Sequence, residues 1–171
     1  MKVGMLTSPF GREPLAEAVR FAADAGFDAL EIATGRGSAH CDVTEGDAKA
    51  AQEVSRLVTD AGLEISSFAC YANVFAEGPS INEGVVSAIR GAIDSASAIG
   101  VDVVCCLAGM SASGVSKEVM IKEWAPQVWL PLAEYAQSKG VKIAFENYFA
   151  TLLQSTREFI WFFESCPHPC L

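Results

Sequence analysis

The sequence is poor in basic residues and in histidine. Its 171 residues include 12 Lys and Arg against 21 Asp and Glu, for a net charge of −9, and only two histidines. A nucleic-acid partner needs Lys and Arg to neutralise phosphates, so this balance argues against one. Enzymes with several zinc ions take many of their ligands from histidine, and two histidines are too few for such a centre.

Long apolar runs are also missing. No run reaches about 18 residues, so no membrane span is expected. Residues 1–9 are interrupted too early for a signal peptide. The six cysteines are irregularly spaced, and Cys105 and Cys106 adjoin within an apolar run, which is typical of small buried hydrophobes and not of a disulfide framework. These absences favour a protein of the reducing cytoplasm.

What the sequence does contain is a pattern that recurs four times: an amphipathic helix, a glycine, an apolar residue and a short strand. The glycines, spaced 36, 38 and 40 residues apart, are Gly26, Gly62, Gly100 and Gly140. Glycine suits the left-handed residue just past a helix C-terminus, where a side chain would be strained. A repeat of this length with one helix and one strand is typical of a βα unit.

The apolar runs and helix signals predict five strands and five helices. We expect strands at residues 2–6, 29–33, 64–70, 101–107 and 141–145. Helices are expected at 14–25, 44–60, 80–99 and 118–139, with a fifth after residue 155. Capping boxes start three of the helices and a proline starts or kinks the fourth: Thr44 with Asp47, Ser80 with Glu83, Ser155 with Glu158, and Pro126 or Pro131.

Five such units predict a single α/β domain over residues 1–171. They fit either an open doubly wound sheet or the first five units of an eight-stranded (β/α)8 TIM-type barrel. A full barrel has about 250 residues, so three further units of this length would complete one. The fifth helix has no closing glycine and a sixth strand ought to begin near Leu171. We therefore expect a partial barrel, truncated before strand six.

The predicted strand at 141–145 ends on Glu146 and Asn147. A carboxylate at the C-terminal end of a parallel strand lies where α/β folds carry out their chemistry, because the loops there converge. Glu146 is therefore the first candidate for a catalytic residue. The alternative is a solvated loop carboxylate or a cap for the following segment.

Three stretches resemble the xylose isomerase-like TIM-barrel family of sugar phosphate isomerases and epimerases. They are Phe145-Glu146-Asn147, Leu30 to Gly35 followed by Ala39 to Asp42, and Tyr71-Ala72-Asn73. The resemblance implies a divalent metal held by Glu, Asp, His and Glu from the ends of strands five to eight. Only the first of these maps here, onto Glu146, and the other ligands are expected beyond Leu171. Oxygen ligands suit Mn²⁺ or Mg²⁺, with Zn²⁺ as a further option.

The resemblance also implies the reaction. Moving hydrogen between adjacent sugar carbons requires a base beside a carbonyl and a cation that stabilises the enediolate. Glu146 is the expected catalytic residue and metal ligand of a sugar or sugar phosphate isomerase or epimerase, with a small sugar or polyol as substrate.

Other polar residues near predicted strand ends are candidates for substrate binding. His40 is either a substrate-contacting donor or a loop histidine that is exposed or locally hydrogen-bonded. Tyr71 and Asn73 are placed to bind sugar hydroxyls, although ordinary turn chemistry also explains Asn73. Glu31 alternates with Leu30 and Ile32, so it is expected to face the barrel interior, where a buried carboxylate needs a partner.

Two other classes of function stay open at this stage. A non-catalytic barrel fragment or sugar-binding module fits the incomplete set of ligands. A metal-dependent endonuclease for abasic DNA shares the barrel, but the acidic charge and the two histidines argue against it. Exposed sheet edges in a partial barrel favour aggregation, a homo-oligomer or the need for further chain.

Overall fold

The computed structural model describes residues 1–43 and 48–171, so the predicted cap of Thr44 with Asp47 lies outside the described residues. The strands are β1 (Gly4–Leu6), β2 (Ala29–Gly35), β3 (Cys41–Asp42), β4 (Glu64–Cys70), β5 (Val103–Cys106) and β6 (Lys142–Phe145). The helices are α1 (Leu15–Ala25), α2 (Ala48–Asp60), α3 (Glu83–Ala98), α4 (Lys117–Val119), α5 (Ala125–Ser138) and α6 (Thr156–Ser165). A 3₁₀ turn (Ser8–Phe10) follows β1, and a π-helical turn (Met120–Trp124) joins α4 to α5.

The main sheet is parallel throughout, and its strands lie side by side in chain order, β1-β2-β4-β5-β6. The short β3 pairs with the end of β2. A doubly wound sheet would reverse its strand order at a switch point, and this sheet does not. The doubly wound alternative is therefore wrong, and the prediction of a partial (β/α)8 barrel is confirmed.

The four repeated glycines end helices α1, α2, α3 and α5 in the left-handed conformation, with φ between 71° and 78°. In each case the main-chain N–H of the next residue donates back to a carbonyl five residues earlier, as in Phe27 to Ala22 and Val141 to Ala136, both 2.9 Å. This is the Schellman ending, and the apolar residue after the glycine packs against the helix that it closes. The repeat thus marks where each helix stops and the next strand starts.

Several predicted boundaries differ from the structure. Strand β1 begins at Gly4 and not at residue 2, β2 continues to Gly35, and the helix predicted at 118–139 is divided into α4, the π-helical turn and α5. Helix α3 is capped by Asn82, whose Oδ1 accepts from the Val85 N–H at 3.3 Å, and not by Ser80. Ser80 lies in a turn closed by a bridge between Phe75 and Ile81, so it is not free to cap. Strand β5 begins at Val103, two residues later than predicted, since the residues before it belong to the ending of α3.

Two other helix signals agree with the structure. Ser155 and Glu158 form the predicted capping box of α6. Pro126 lies in the first turn of α5, directly after the π-helical turn, and Pro131 lies inside the same helix. Among the described residues, no helix is long and apolar enough to cross a membrane.

The core lies between the helices and one face of the sheet. Leu30, Ile32, Phe68 and Val104 point to this side and have no exposed surface. At the end of β6, Phe145 packs edge-on against Trp129 and Phe162, with ring centroids 4.7 and 4.6 Å apart. The opposite face of each strand carries the alternate residues, and these lead to the candidate site.

Candidate active site

A cavity of about 340 Å³ opens at the carboxyl ends of the strands. It is lined by residues at the ends of β1, β4, β5 and β6 and in the loops that follow them: Leu6, Ser8, Tyr71, Leu107, Glu146 and Tyr148. Two of the predicted site residues, Glu146 and Tyr71, therefore come together at this cavity. The parallel direction of the strands gathers their ends at one edge, as the sequence repeat predicts.

Glu146 lies directly after β6. Its main-chain N–H donates to the carbonyl of Cys106 at 3.0 Å, which continues the ladder between β5 and β6 by one residue. The side chain is half-buried and faces the cavity. In this position its carboxylate can contact a molecule in the cavity.

Tyr71 and Glu31 form a hydrogen-bonded pair beside Glu146. The Tyr71 hydroxyl donates to Oε1 of Glu31 at 2.7 Å, and the Ser67 hydroxyl donates to Oε2 of the same carboxylate at 2.8 Å. Burial raises the pKa of Tyr71 well above its usual range, and the hydrogen bond and charge of Glu31, together with Glu146, raise it further. The Tyr71 hydroxyl therefore keeps its proton at neutral pH.

Cys105 is the next inward-facing residue of this cluster, on β5. Burial raises the pKa of its thiol to about 11, with the negative charge of Glu31 as the second cause and smaller effects from Ser67 and Glu146. Cys105 is thus a neutral thiol next to two carboxylates. Strand alternation in the sequence indicates the inward direction of Glu31, but nothing in the sequence indicates that Ser67 and Tyr71 are its hydrogen-bond partners.

Asn73 performs turn chemistry. Its Oδ1 accepts from the main-chain N–H of Phe75 at 3.3 Å and of Met110 at 2.9 Å. These two bonds hold the loop after β4 against the loop after β5. Asn73 itself is not among the residues that line the cavity. The geometry favours the turn alternative, and a contact between Asn73 and a sugar stays a prediction.

His40 is buried, with 5% of its surface exposed. Its Nε2 lies 3.0 Å from the carbonyl oxygen of Phe10 and 3.2 Å from that of Glu13, so Nε2 carries the hydrogen. Nδ1 then accepts from the Thr7 hydroxyl at 2.9 Å, and the Thr7 oxygen accepts from the Ala33 N–H at 2.8 Å. Both ring nitrogens are engaged, which favours the alternative of a locally bonded histidine that fastens the loop after β1 to β2.

Tyr71 also lines a second, larger cavity of about 450 Å³ on its other side. Here the glycine-rich loop after β2 faces the first turn of α3, and Arg36 lies near Gly84: a Cβ at that glycine would be 3.6 Å from Nη1 of Arg36. Arg36 is exposed and lies on the loop that carries Gly35 and Gly37.

A family model described as xylose isomerase-like TIM barrel matches residues 19–171. The chain belongs to this family. Membership agrees with the parallel sheet in chain order and with the cavity at the carboxyl ends of its strands. Comparison with curated proteins gives no match.

Solved structures share the fold. A D-psicose 3-epimerase in the presence of D-fructose gives a TM-score of 0.74 at 15% identity, over 99% of this chain and 61% of that one. A xylose isomerase-like TIM barrel protein from Mycobacterium smegmatis in complex with magnesium gives 0.74 at 16%, over 99% and 62%. A D-allulose 3-epimerase from Methylomonas sp. in complex with D-allulose gives 0.71 at 20%, over 99% and 60%. The chain thus spans about three fifths of the length of these structures, and identities this low show the fold alone.

The residues at the cavity do not complete a metal centre by themselves. Within residues 1–43 and 48–171, no three His, Cys, Asp or Glu side chains lie close enough together to hold a metal ion. Glu146 offers one carboxylate to the cavity, whereas both oxygens of Glu31 accept hydrogen bonds from Ser67 and Tyr71. Among the described residues, the carboxylate that lines this cavity of the xylose isomerase-like chain is that of Glu146.

Proposed function

We propose that this chain carries the substrate wall and one base of a sugar or sugar phosphate isomerase or epimerase. The observation that carries the proposal is that the Glu146 carboxylate and the Tyr71 hydroxyl line the same cavity at the carboxyl ends of the strands. Membership of the xylose isomerase-like family supports it, as do neighbours described as ketose epimerases with D-fructose or D-allulose.

The proposed chemistry is a proton transfer beside a carbonyl. Glu146 takes the proton from the carbon next to the sugar carbonyl, and the electron pair of that C–H bond moves to form an enediolate. Return of this proton from Glu146 to the neighbouring carbon gives the isomer and restores the carboxylate. For the epimer, a proton donor on the opposite side of the substrate adds a proton to the other face of the same carbon, and Glu146 releases its own proton to solvent.

A divalent cation, Mn²⁺ or Mg²⁺, is part of the proposal. Bound there, it would supply positive charge to the oxygens of the enediolate. Support comes from the oxygen ligand that Glu146 offers and from a family structure described in complex with magnesium. Glu146 would hold it together with ligands that lie outside the described residues.

Exchange of the transferred proton with solvent tests the activity. We expect ketohexoses such as D-fructose, D-tagatose and D-allulose, or their phosphates, to acquire deuterium beside the carbonyl in D₂O with Mn²⁺ or Mg²⁺, as followed by proton NMR. The assay uses the longest chain that the gene encodes. Glu146→Gln should slow the exchange by about 10²-fold or more, because an amide is no base.

The matched control is Glu164→Gln, since Glu164 is exposed on α6, away from the cavity. It should leave the exchange unchanged. Equal exchange by Glu146→Gln and the unaltered protein would contradict the assignment of the base. Binding of the sugar without any exchange would favour the second candidate, a sugar-binding module, which the incomplete set of metal ligands among the described residues supports.

A further inference from the structure

We propose that Glu31 is a positioning residue: it takes the hydrogen bond of the Tyr71 hydroxyl, so that the Tyr71 oxygen can only accept hydrogen bonds from a molecule in the cavity. Tyr71 then binds a hydroxyl group of the sugar and not its carbonyl oxygen. The ligand class rests on the proposed function. The positioning itself rests on the geometry of Glu31, Ser67 and Tyr71.

The direction of the Tyr71 proton follows from its partner. A phenol has one proton to donate, and an ionised carboxylate has none. Tyr71 gives its proton to Oε1 of Glu31 at 2.7 Å, so the lone pairs of its oxygen are left for the cavity. Ser67 donates to the other oxygen, Oε2, at 2.8 Å, which prevents the carboxylate from turning away.

The three residues are held by the sheet and not by flexible loops. Glu31 is paired with Leu6 of β1 on one side and with Ser67 of β4 on the other, in the parallel register. Tyr71 follows the last residue of β4 directly. Side chains on rigid strands keep a set orientation, so the hydroxyl direction is built in before any ligand binds.

The Tyr71 hydroxyl and the Glu146 carboxylate, which lie side by side at the cavity, then both accept hydrogen bonds. Glu146 lies close enough to Tyr71 to contribute to its raised pKa, and an ionised Glu146 accepts only. Two acceptors side by side favour donors between them. The hydroxyl groups of a sugar are such donors, among them the hydroxyl on the carbon from which Glu146 would take the proton, whereas the carbonyl oxygen is not.

The first experiment needs no ligand. The chain has three tyrosines, so labelling with tyrosine carbon-13 at Cζ gives three NMR signals, and Tyr71→Phe assigns one of them. Glu31→Ala should move the Tyr71 signal and leave those of Tyr135 and Tyr148 in place. Glu31→Gln, which keeps an acceptor oxygen of the same reach, should restore most of the shift. An unmoved Tyr71 signal in Glu31→Ala would overturn the positioning role.

The second experiment is a double-mutant cycle on sugar binding, measured by calorimetry with D-fructose and D-allulose. We expect Glu31→Ala and Tyr71→Phe each to weaken binding about three- to tenfold, the range of one neutral hydrogen bond. Because Glu31 acts through Tyr71, adding Glu31→Ala to Tyr71→Phe should cost nothing further. Additive losses would overturn the proposal and make Glu31 merely structural.

The outcomes separate this inference from the proposed activity. If the effects of Glu31→Ala and Tyr71→Phe on sugar binding are not additive but no deuterium exchange occurs, the isomerase activity is rejected and the positioning role of Glu31 is kept. If exchange occurs but the two effects are additive, the activity is kept and the positioning role is rejected. No binding of either sugar by the unaltered protein would overturn the ligand class, whatever the carbon-13 signals show.

Discussion

The two faces of the parallel sheet differ although they alternate along the same strands. On the side of the helices, Ile32, Phe68 and Cys106 are fully buried among apolar neighbours. On the inward side, Glu31 and Cys105 belong to a polar cluster around the cavity. Residues one position apart therefore serve different purposes. The face toward the helices, called the outer face here, stabilises the domain, and the face toward the cavity, the inner face, is available for chemistry.

Physical reasons separate the two faces. Apolar area removed from water stabilises the fold in proportion to that area, and the outer face makes this contribution. A carboxylate is tolerated on the inner face because hydrogen-bond donors surround it and the cavity admits solvent or a ligand. Matched substitutions on the two faces test this difference, because those on the outer face should destabilise the protein more than those on the inner face.

The largest effect is expected for Phe68→Ala on the outer face. Phe68 is one of the largest side chains with no exposed surface, and its loss leaves a cavity between sheet and helices. The free energy of unfolding should fall by about 3–5 kcal/mol in urea titrations. Its neighbour on the inner face provides the control, because Ser67→Ala removes one hydrogen bond to the Glu31 carboxylate and should cost less, about 1.5–3 kcal/mol. Similar losses for both would refute the division of roles.

A matched pair of adjacent cysteines gives a smaller and more specific test. Cys106→Ser places a hydroxyl among apolar side chains, where it should lower the free energy of unfolding by about 1–3 kcal/mol. Cys105→Ser makes the same chemical change toward Glu31 and Ser67, and it should leave stability within about 0.5 kcal/mol. Thermal and chemical unfolding of the two variants measures the difference, and equal values would contradict it.

The smallest effect concerns Glu158, at the start of α6 and away from both faces. Burial alone would raise the pKa of its carboxyl, but the main-chain N–H groups of Gln154 and Ser155 and the Lys117 ammonium outweigh burial and lower it. A lowered pKa means that the ionised form stabilises the fold above the ordinary value of 4.5. This contribution disappears as the pH falls through the folded-state pKa.

Glu158→Gln should therefore lower the free energy of unfolding by about 1 kcal/mol at pH 7 and leave it nearly unchanged at pH 3. Urea titrations at the two pH values measure this difference. The exposed Glu164 provides the comparison, since Glu164→Gln should change little at either pH. A loss that is the same at pH 3 and pH 7 would assign the effect to packing and not to charge.

Structural features that depend on residues close together in the sequence can be predicted from the sequence. The glycine with its following apolar residue predicts four helix ends, because the Schellman ending involves only the last turn of the helix. The start of α3 cannot be predicted in this way. Ser80 and Asn82 are both good capping residues, and the choice between them depends on the turn closed by Phe75 and Ile81.

The same distinction holds for the candidate site. Glu146 is predictable because a carboxylate that ends an apolar run has a recognisable position. The pair of Glu31 and Tyr71 is not, since 40 residues separate them and only the register of β2 with β4 brings them together. His40 is a candidate in the sequence because it lies on a glycine-rich loop after a predicted strand. Its hydrogen bonds to the main-chain carbonyls of Phe10 and Glu13 cannot be predicted, because no residue type indicates them.

The order of the strands bears on how the protein is made. Each strand of the main sheet lies next to the one synthesised before it, so a growing polypeptide always finds its next docking edge already assembled. Elongation at the ribosome, at about 5–20 residues per second, would deliver one βα unit every few seconds, from the N-terminus onward. The pairings β1-β2, β2-β4, β4-β5 and β5-β6 can therefore form in the order of translation.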